Sequence, residues 1–281
     1  MLRPSVARRC ASSSVAGVTE VPGRGRAVLA TAPIESGTVL HVTAPMAQVL
    51  KHSSDDAMHC AQCLDVATKP LCSHYCKLAY EARGGSMLER VNLSPLHHLH
   101  EVDGRKFPLL IAYLLADLLA EVKATRAVPI AWPPLELCYS ELHEEAHAQV
   151  ESEHAQMLSA FAAAGLANAA TLELFLPLGR YQRLLGAAQL NAFELTLSHG
   201  ARVSALLPGL ASCFNHSCEP NVLISCGATN EVAFVAGAPI PLGTELCISY
   251  LDVDQPREAR RELLLHKYGF ECDCARCQRG E

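Results

Sequence analysis

No apolar run in this sequence is long enough to cross a membrane. The most apolar stretch, residues 107–120, is too short and contains Asp117. No signal-peptide h-region opens the chain. An excess of basic charge is also missing: 23 Lys and Arg face 29 Asp and Glu, for a net charge of −6. That balance argues against a large non-specific nucleic-acid surface, although it leaves room for a local basic patch. A Rossmann-type glycine fingerprint is absent as well. In the first seventeen residues there is no acid, but Arg3, Arg8, Arg9 and four serines are present. This is compatible with an organellar transit peptide, yet the first strand signal follows almost at once. Residues 1–17 are therefore read as a flexible leader.

What is present describes an ordinary soluble chain of 281 residues, half of them hydrophobic and 19% charged, long enough for a sizeable core. Cysteine is the outlier. Thirteen cysteines are too many to be incidental, but an odd count without a secretory signal does not suggest a disulfide scaffold. Eight of them fall into two groups with metal-ligand spacing, which fits a reducing compartment, nucleus or cytoplasm. The others (Cys10, Cys138, Cys213, Cys226, Cys247) read as small buried hydrophobes or incidental thiols.

The first group is Cys60-x2-Cys63, eight residues, then Cys72-x3-Cys76. Two close pairs of this kind can converge on one zinc. The second is Cys272-x-Cys274-x2-Cys277, one ligand short of a tetrahedral four-cysteine site. Its natural fourth ligand is Cys218, in the polar stretch Asn215-His216-Ser217-Cys218-Glu219-Pro220-Asn221. A third pattern, His143-Glu144-Glu145-Ala146-His147, matches the H-E-x-x-H of zinc proteases, with His154 near the same helix face. Acidic surroundings, and Val150 where the metzincin pattern has glycine, favour a solvated helix face instead. His97, His98 and His100 read as surface loop residues.

In chain order, residues 14–21 and 26–32 form a hairpin around Pro22-Gly23-Arg24-Gly25. Residues 39–49 read as a strand. Residues 77–190 read as helical, with Phe107, Leu110, Leu114, Leu118 and Val122 at core spacing, a break at Trp132-Pro133-Pro134 and a cap at Ser140. Residues 221–226 and 231–236 read as strands about a Gly227-Ala228-Thr229-Asn230 turn, and 244–250 as the last strand. Asp254 is expected to cap a helix that ends at Gly269.

Asn-His-Ser-Cys-x-Pro-Asn, a strand ending in Tyr250, and Tyr268-Gly269-Phe270-Glu271-Cys272-Asp273-Cys274 with Cys277, in this order, resemble the SET domain of protein-lysine methyltransferases. The likeness is to the SMYD type, in which a MYND-like zinc finger interrupts the SET fold. The resemblance implies an α+β fold: a compact β-fold with a pseudoknot, a helical insertion and zinc-binding segments. It divides the chain into a split SET domain over 18–280. Within it lie a partial MYND-like finger at 53–80, a helical insert at 81–185, a SET core at 186–271 and a post-SET zinc segment at 272–280. Cys60, Cys63, Cys72 and Cys76 match one of the two zinc sites of a MYND finger. The second is not matched, which weakens the usual peptide-binding role.

By the same resemblance, Phe193, Tyr250 and Tyr268 line a lysine channel, with Tyr250 supplying the catalytic hydroxyl. Arg24, Gly25, Asn191, Ser212, Asn215, His216, Tyr250 and Phe270 meet S-adenosylmethionine. Taken alone, Asn191 and Phe193 read equally as a cap beside a core aromatic, and Asn215 and His216 as a polar clasp on their loop. SMYD members carry a helical C-terminal domain, whereas four residues follow Cys277 here, so a more open cleft is expected. The implied function is methyl transfer to the lysine of a histone or other protein, by a monomer with no membrane or direct nucleic-acid partner. A SET-fold protein that binds partners without turnover is the second reading.

Overall fold

The computed structural model describes residues 11–12, 15–22, 24–50, 58–103, 105–127, 147–197, 200–227 and 231–281. Most of the leader, the Trp132-Pro133-Pro134 break, the Ser140 cap, residues 143–146 of the H-E-x-x-H pattern and the 228–230 turn lie outside these residues. In chain order the elements are β1 (Ala11–Ser12), β2 (Ala16–Val21), β3 (Gly25–Ala30), β4 (Val39–Thr43), β5 (Ala47–Leu50), α1 (His74–Ala82), α2 (Gly85–Leu88), α3 (Ser94–Asp103), α4 (Phe107–Thr125), α5 (His147–Ala163), α6 (Ala169–Phe175), α7 (Leu178–Asn191), β6 (Ala192–Thr196), β7 (Arg202–Leu206), β8 (Asn215–His216), β9 (Val222–Cys226), β10 (Val232–Ala236), β11 (Cys247–Ile248), α8 (Arg257–Tyr268) and α9 (Ala275–Gln278). They form two compact units. The first holds Met1–Pro45, Leu207–Gly227 and Glu231–Glu281, and the second Met46–Leu206 with Ala228–Asn230.

The first unit is mostly strand. A four-stranded sheet runs β1-β4-β10-β9, every pair antiparallel. Along β10 Val232, Phe234 and Ala236 are buried and the residues between are half-buried, the period of a strand with one core face. Phe234 stacks on Phe214 with ring centroids 4.8 Å apart and planes 4° apart. The β2–β3 hairpin pairs Ala16 with Ala30 and Val21 with Gly25. Beside it β8 and β11 make a short parallel pair, Asn215 against Cys247 and His216 against Ile248.

Three local expectations change here. The stretch 39–49 is broken at Ala44-Pro45, where proline lacks the N–H a ladder needs, and β4 and β5 join different sheets. The strand expected over 244–250 pairs only at Cys247–Ile248. Side chains take up its other backbone groups: the Asn221 amide donates to Glu245 O (2.8 Å) and accepts from Cys247 N–H (2.8 Å), and His216 Nδ1 accepts from Tyr250 N–H (3.0 Å). Asp254 does not cap α8. Pro256 holds the cap position without a side-chain bond, while Gly269 ends the helix in the left-handed region at φ 74°.

The second unit is helical around α4, which buries Leu110, Leu114 and Leu118 as its spacing implies, and also Leu109, Ile111, Leu115 and Ala116. A helix apolar on nearly every side is a central one. It packs against β5 of the antiparallel sheet β5-β7-β6 and against α2, α3 and α7. Arg105 closes a two-pronged ion pair on the buried Glu153 of α5, at 2.6 and 2.9 Å. β6 and β7 lie in this unit. No helix among the described residues is long and apolar enough to cross a membrane.

Candidate functional site

The last helical turn of α8 and the segment behind it bring the C-terminal cysteines to Cys218. Sγ of Cys218 lies 3.9 Å from that of Cys272 and 3.6 Å from that of Cys277, and the ligand atoms of Cys218, Cys272, Cys274 and Cys277 all fall within 4.8 Å of one another. A tetrahedron with Zn–S of about 2.3 Å has sulfur–sulfur edges of roughly 3.8 Å, so this donor set fits zinc. The first group fits too. Cys63 and Cys72 are 3.7 Å apart, Cys72 and Cys76 are 3.4 Å apart, and Cys60 completes the cluster. In each cluster one thiol is pulled toward the thiolate a metal requires, Cys60 to about 7 and Cys274 to about 6. Burial pushes both up, but hydrogen bonds from backbone N–H groups outweigh it.

Around the C-terminal cluster stand three of the four aromatic residues singled out in the sequence, Tyr250, Tyr268 and Phe270. The Tyr250 ring centroid lies 4.9 Å from Tyr268, 5.4 Å from His216 and 6.5 Å from Phe270. The Tyr250 hydroxyl donates to Phe214 O at 2.8 Å. His216 is 2% exposed, and burial, reinforced by the positive charges of Arg260 and Arg24, pulls its imidazole down to about 4. The ring is therefore neutral near pH 7. Its Nδ1 accepts from Tyr250 N–H, so the ring proton sits on Nε2, 3.3 Å from Cys218 Sγ. Both nitrogens are spent inside the protein, and His216 clasps the tyrosine backbone to a sulfur of the cluster. Arrangements of this type, in which an outer group fixes the ligand atom, tune metal sites.

Asn215 donates to Arg26 O (3.1 Å) and to Glu245 Oε1 (2.8 Å), and the other oxygen of Glu245 meets Arg24 Nη1 at 3.1 Å. Gly25, at φ 68°, closes the hairpin in a conformation that side chains rarely adopt, and the position of a Cβ there faces open space. A guanidinium, two amide-bearing or carboxylate groups and an open backbone edge make a donor and acceptor set that fits an amino-acid ligand. Ser212 lies in a 3-10 turn at Gly209–Cys213 and donates to Gly209 O (2.9 Å).

Asn191 and Phe193 belong to the second unit. Asn191, the buried last residue of α7, donates to Ala187 O at 2.7 Å; Phe193 is half-buried on β6. Four histidines differ from expectation there, since His97 and His98, though exposed, also lie on α3 rather than in a loop. His154 is not solvated but 6% exposed, with Nε2 2.7 Å from Leu176 O, a core histidine on α5. His100 is on a helix, not a loop, and is 8% exposed. A polar face in sequence became buried where a carbonyl of a neighbouring segment meets Nε2 of each of these two rings.

Two residues central to the site carried no sequence signal. Glu245 looks like any strand-edge acid until it bridges Asn215 and Arg24. Arg260, among the charges of α8, looks solvated but is 1% exposed, its Nε 3.3 Å from Cys218 Sγ and its Nη groups on the carbonyls of Gln255 (2.5 Å) and Glu281 (2.6 Å).

A family model described as the SET domain matches residues 25–251. Among curated proteins, the histone-lysine N-methyltransferase ATXR4 of Arabidopsis thaliana is 24% identical over 93% of this chain and 85% of its own. The human histone-lysine N-methyltransferase SMYD3 is 39% identical over 31% of this chain, which spans only 20% of that relative. A SET and MYND domain-containing protein of Dictyostelium discoideum is 23% identical over 82% of this chain and 68% of its own. The solved SET domain of LSMT bound to lysine and AdoHcy aligns at 13% identity with a TM-score of 0.41, over 92% of this chain and 53% of that one. With a family model that runs through the β3 strand, the Asn215–Asn221 stretch and Tyr250, this chain belongs to the SET domain family.

Proposed function

We propose that the chain is an S-adenosylmethionine-dependent protein-lysine N-methyltransferase. The observation that carries the reading is Tyr250, pinned by its hydroxyl to Phe214 O and by its backbone to His216, inside a cluster with Tyr268 and Phe270. Arg24, Gly25, Asn215 and Phe270 would hold the cofactor, which would supply an electrophilic methyl group on a sulfonium. The lysine must arrive neutral, although its reference pKa is about 10.4. Aromatic walls from Tyr250 and Tyr268 attract the cation on entry and, by excluding water, disfavour its charged form at the end of the channel. The hydroxyl hydrogen of Tyr250 is spent on Phe214 O, so the oxygen is left as an acceptor for an amine N–H or a polarised C–H. Holding the amine in line makes the transfer effectively unimolecular. His216 positions Tyr250 rather than touching the reacting atoms. Phe193 as channel wall and Asn191 and Ser212 as cofactor contacts rest on the sequence pattern.

The reading is tested with labelled S-adenosylmethionine offered to histones and to a whole-cell protein extract. Wild type should label lysine in a protein band, and Tyr250→Phe should lower the rate about a hundredfold, the scale of losing one fixed transition-state contact, while still folding. No label and no cofactor binding in the zinc-replete chain would replace this reading with a SET-fold binding module.

A further inference from the structure

The backbone around Glu245 is clamped at three points. Ala30 N–H donates to Thr244 O at 2.9 Å, Leu246 N–H to Val28 O at 2.8 Å, and the Asn221 amide to Glu245 O at 2.8 Å. The side chain, 19% exposed, is thereby aimed between β8 and the turn of the β2–β3 hairpin, one oxygen on Asn215 and the other on Arg24. These partners fix which way the Asn215 amide faces. Arg26 O and Glu245 Oε1 are both acceptors, 3.1 and 2.8 Å from one end of the amide, so that end is the NH2 group. Both of its hydrogens are spent there. Asn215 Oδ1 has no partner among the described residues, and neither have Nε and Nη2 of Arg24. The carboxylate thus leaves a bare acceptor on one side of itself and unused cationic donors on the other.

An α-amino-acid end is the complement of that pair. Its ammonium only donates, and its carboxylate only accepts. We infer that Glu245 is a positioning residue that makes this corner selective for such an end: it turns Asn215 Oδ1 toward the ammonium and holds the Arg24 guanidinium for the carboxylate. This role rests on the cofactor reading, since S-adenosylmethionine has an α-amino-acid end, and it adds how the site tells that end from a plain adenosine thioether. Without the carboxylate, the Asn215 amide can turn over and present donors where the ammonium needs an acceptor, and Arg24 loses its anchor. Glutamine has the same shape but one acceptor oxygen and one NH2 group, so in place of Glu245 it can serve Asn215 or Arg24 but not both.

The test titrates the full, zinc-replete chain by calorimetry with S-adenosylhomocysteine, which keeps the amino-acid end, and with 5′-methylthioadenosine, which lacks it. Glu245→Gln should weaken S-adenosylhomocysteine roughly tenfold, the scale of one hydrogen bond to a charged group, and leave 5′-methylthioadenosine within about twofold of wild type. In methyl transfer its KM for S-adenosylmethionine should rise by a similar factor while kcat holds, the signature of lost ground-state binding. Asn215→Ala combined with Glu245→Gln should cost less than the two single losses together, because Glu245 acts through the amide. Equal weakening of both ligands would reduce Glu245 to general support of the fold. Undiminished affinity for S-adenosylhomocysteine in Glu245→Gln, or fully additive losses, would overturn the inference and leave the cofactor reading standing. Binding of neither ligand by wild type would remove that reading and this role with it.

Discussion

Arg260 shows how much one residue can decide here. A four-cysteine zinc site carries a formal charge of −2 in a place where water is scarce, and the guanidinium is buried beside it with its donors spread over Cys218 Sγ and the carbonyls of Gln255 and Glu281. Arg260→Met keeps the length and removes every donor. It should cost about 2–4 kcal/mol in denaturant unfolding, from several polar groups left unmet at roughly 1 kcal/mol or more each. It should also speed loss of zinc to a chromogenic chelator at least tenfold. Arg260→Lys should restore little, because one ammonium cannot serve three directions. If the variant holds zinc as wild type does, the arginine merely fills space. The cysteines were legible from spacing because zinc dictates it, whereas Arg260 was not. Its residue type and its helix full of charges look the same whether the face is wet or buried.

At the scale of elements, the short β11 is the informative case. An alternating run over 244–250 looks like a strand, yet Asn221 and His216 side chains replace most of the ladder. Such side-chain pairing is set by residues 24 to 34 positions away, which no local pattern contains. The start of α2 makes a comparable demand on α4. Gly84 sits at φ 76°, and a Cβ there would meet Ala116 O at 2.4 Å and Ala116 C at 2.8 Å. Both are backbone atoms inside a buried helix and cannot swing aside. Gly84→Ala should therefore destabilise the chain by about 3 kcal/mol or more, well above the ~1 kcal/mol of an unhindered glycine replacement, as read from the urea midpoint. A loss under 1 kcal/mol would mean that the two helices are not in the close contact described. The histidines of α3 and α5 belong to the same lesson: helical periodicity was visible, but which face turned inward depended on the carbonyls of Leu50 and Leu176.

For the whole molecule, the chain leaves the strand-rich unit after Pro45 and returns to it at Leu207, and among the described residues each unit contains one four-cysteine cluster. Metal analysis of the purified chain should find two zinc ions. Cys218→Ser should retain one, and so should Cys60→Ser, if the clusters load independently. The two variants should differ in consequence. Losing the C-terminal cluster frees the segment that holds Tyr268 and Phe270 and should abolish methyl transfer, because folding of that segment and metal binding are one event. Losing the first cluster should instead disturb the second unit near Leu64 and Gln62. A single zinc in the wild type, or full methyl transfer by Cys218→Ser, would break this assignment.

The sequence by itself determined the two cysteine clusters, the hairpin and the central helix α4, because ligand spacing, turn chemistry and apolar periodicity are local rules that act over a few residues; the aromatic residues near Tyr250 were legible only through the family resemblance. Only the tertiary structure decided that Glu245 bridges Asn215 and Arg24, that Arg260 and His216 support Cys218, and that Gln48 and His100 line one cavity of the second unit. Apart from His216 and Cys218, those pairings join residues 30 or more positions apart, and they depend on which polar groups folding leaves without water.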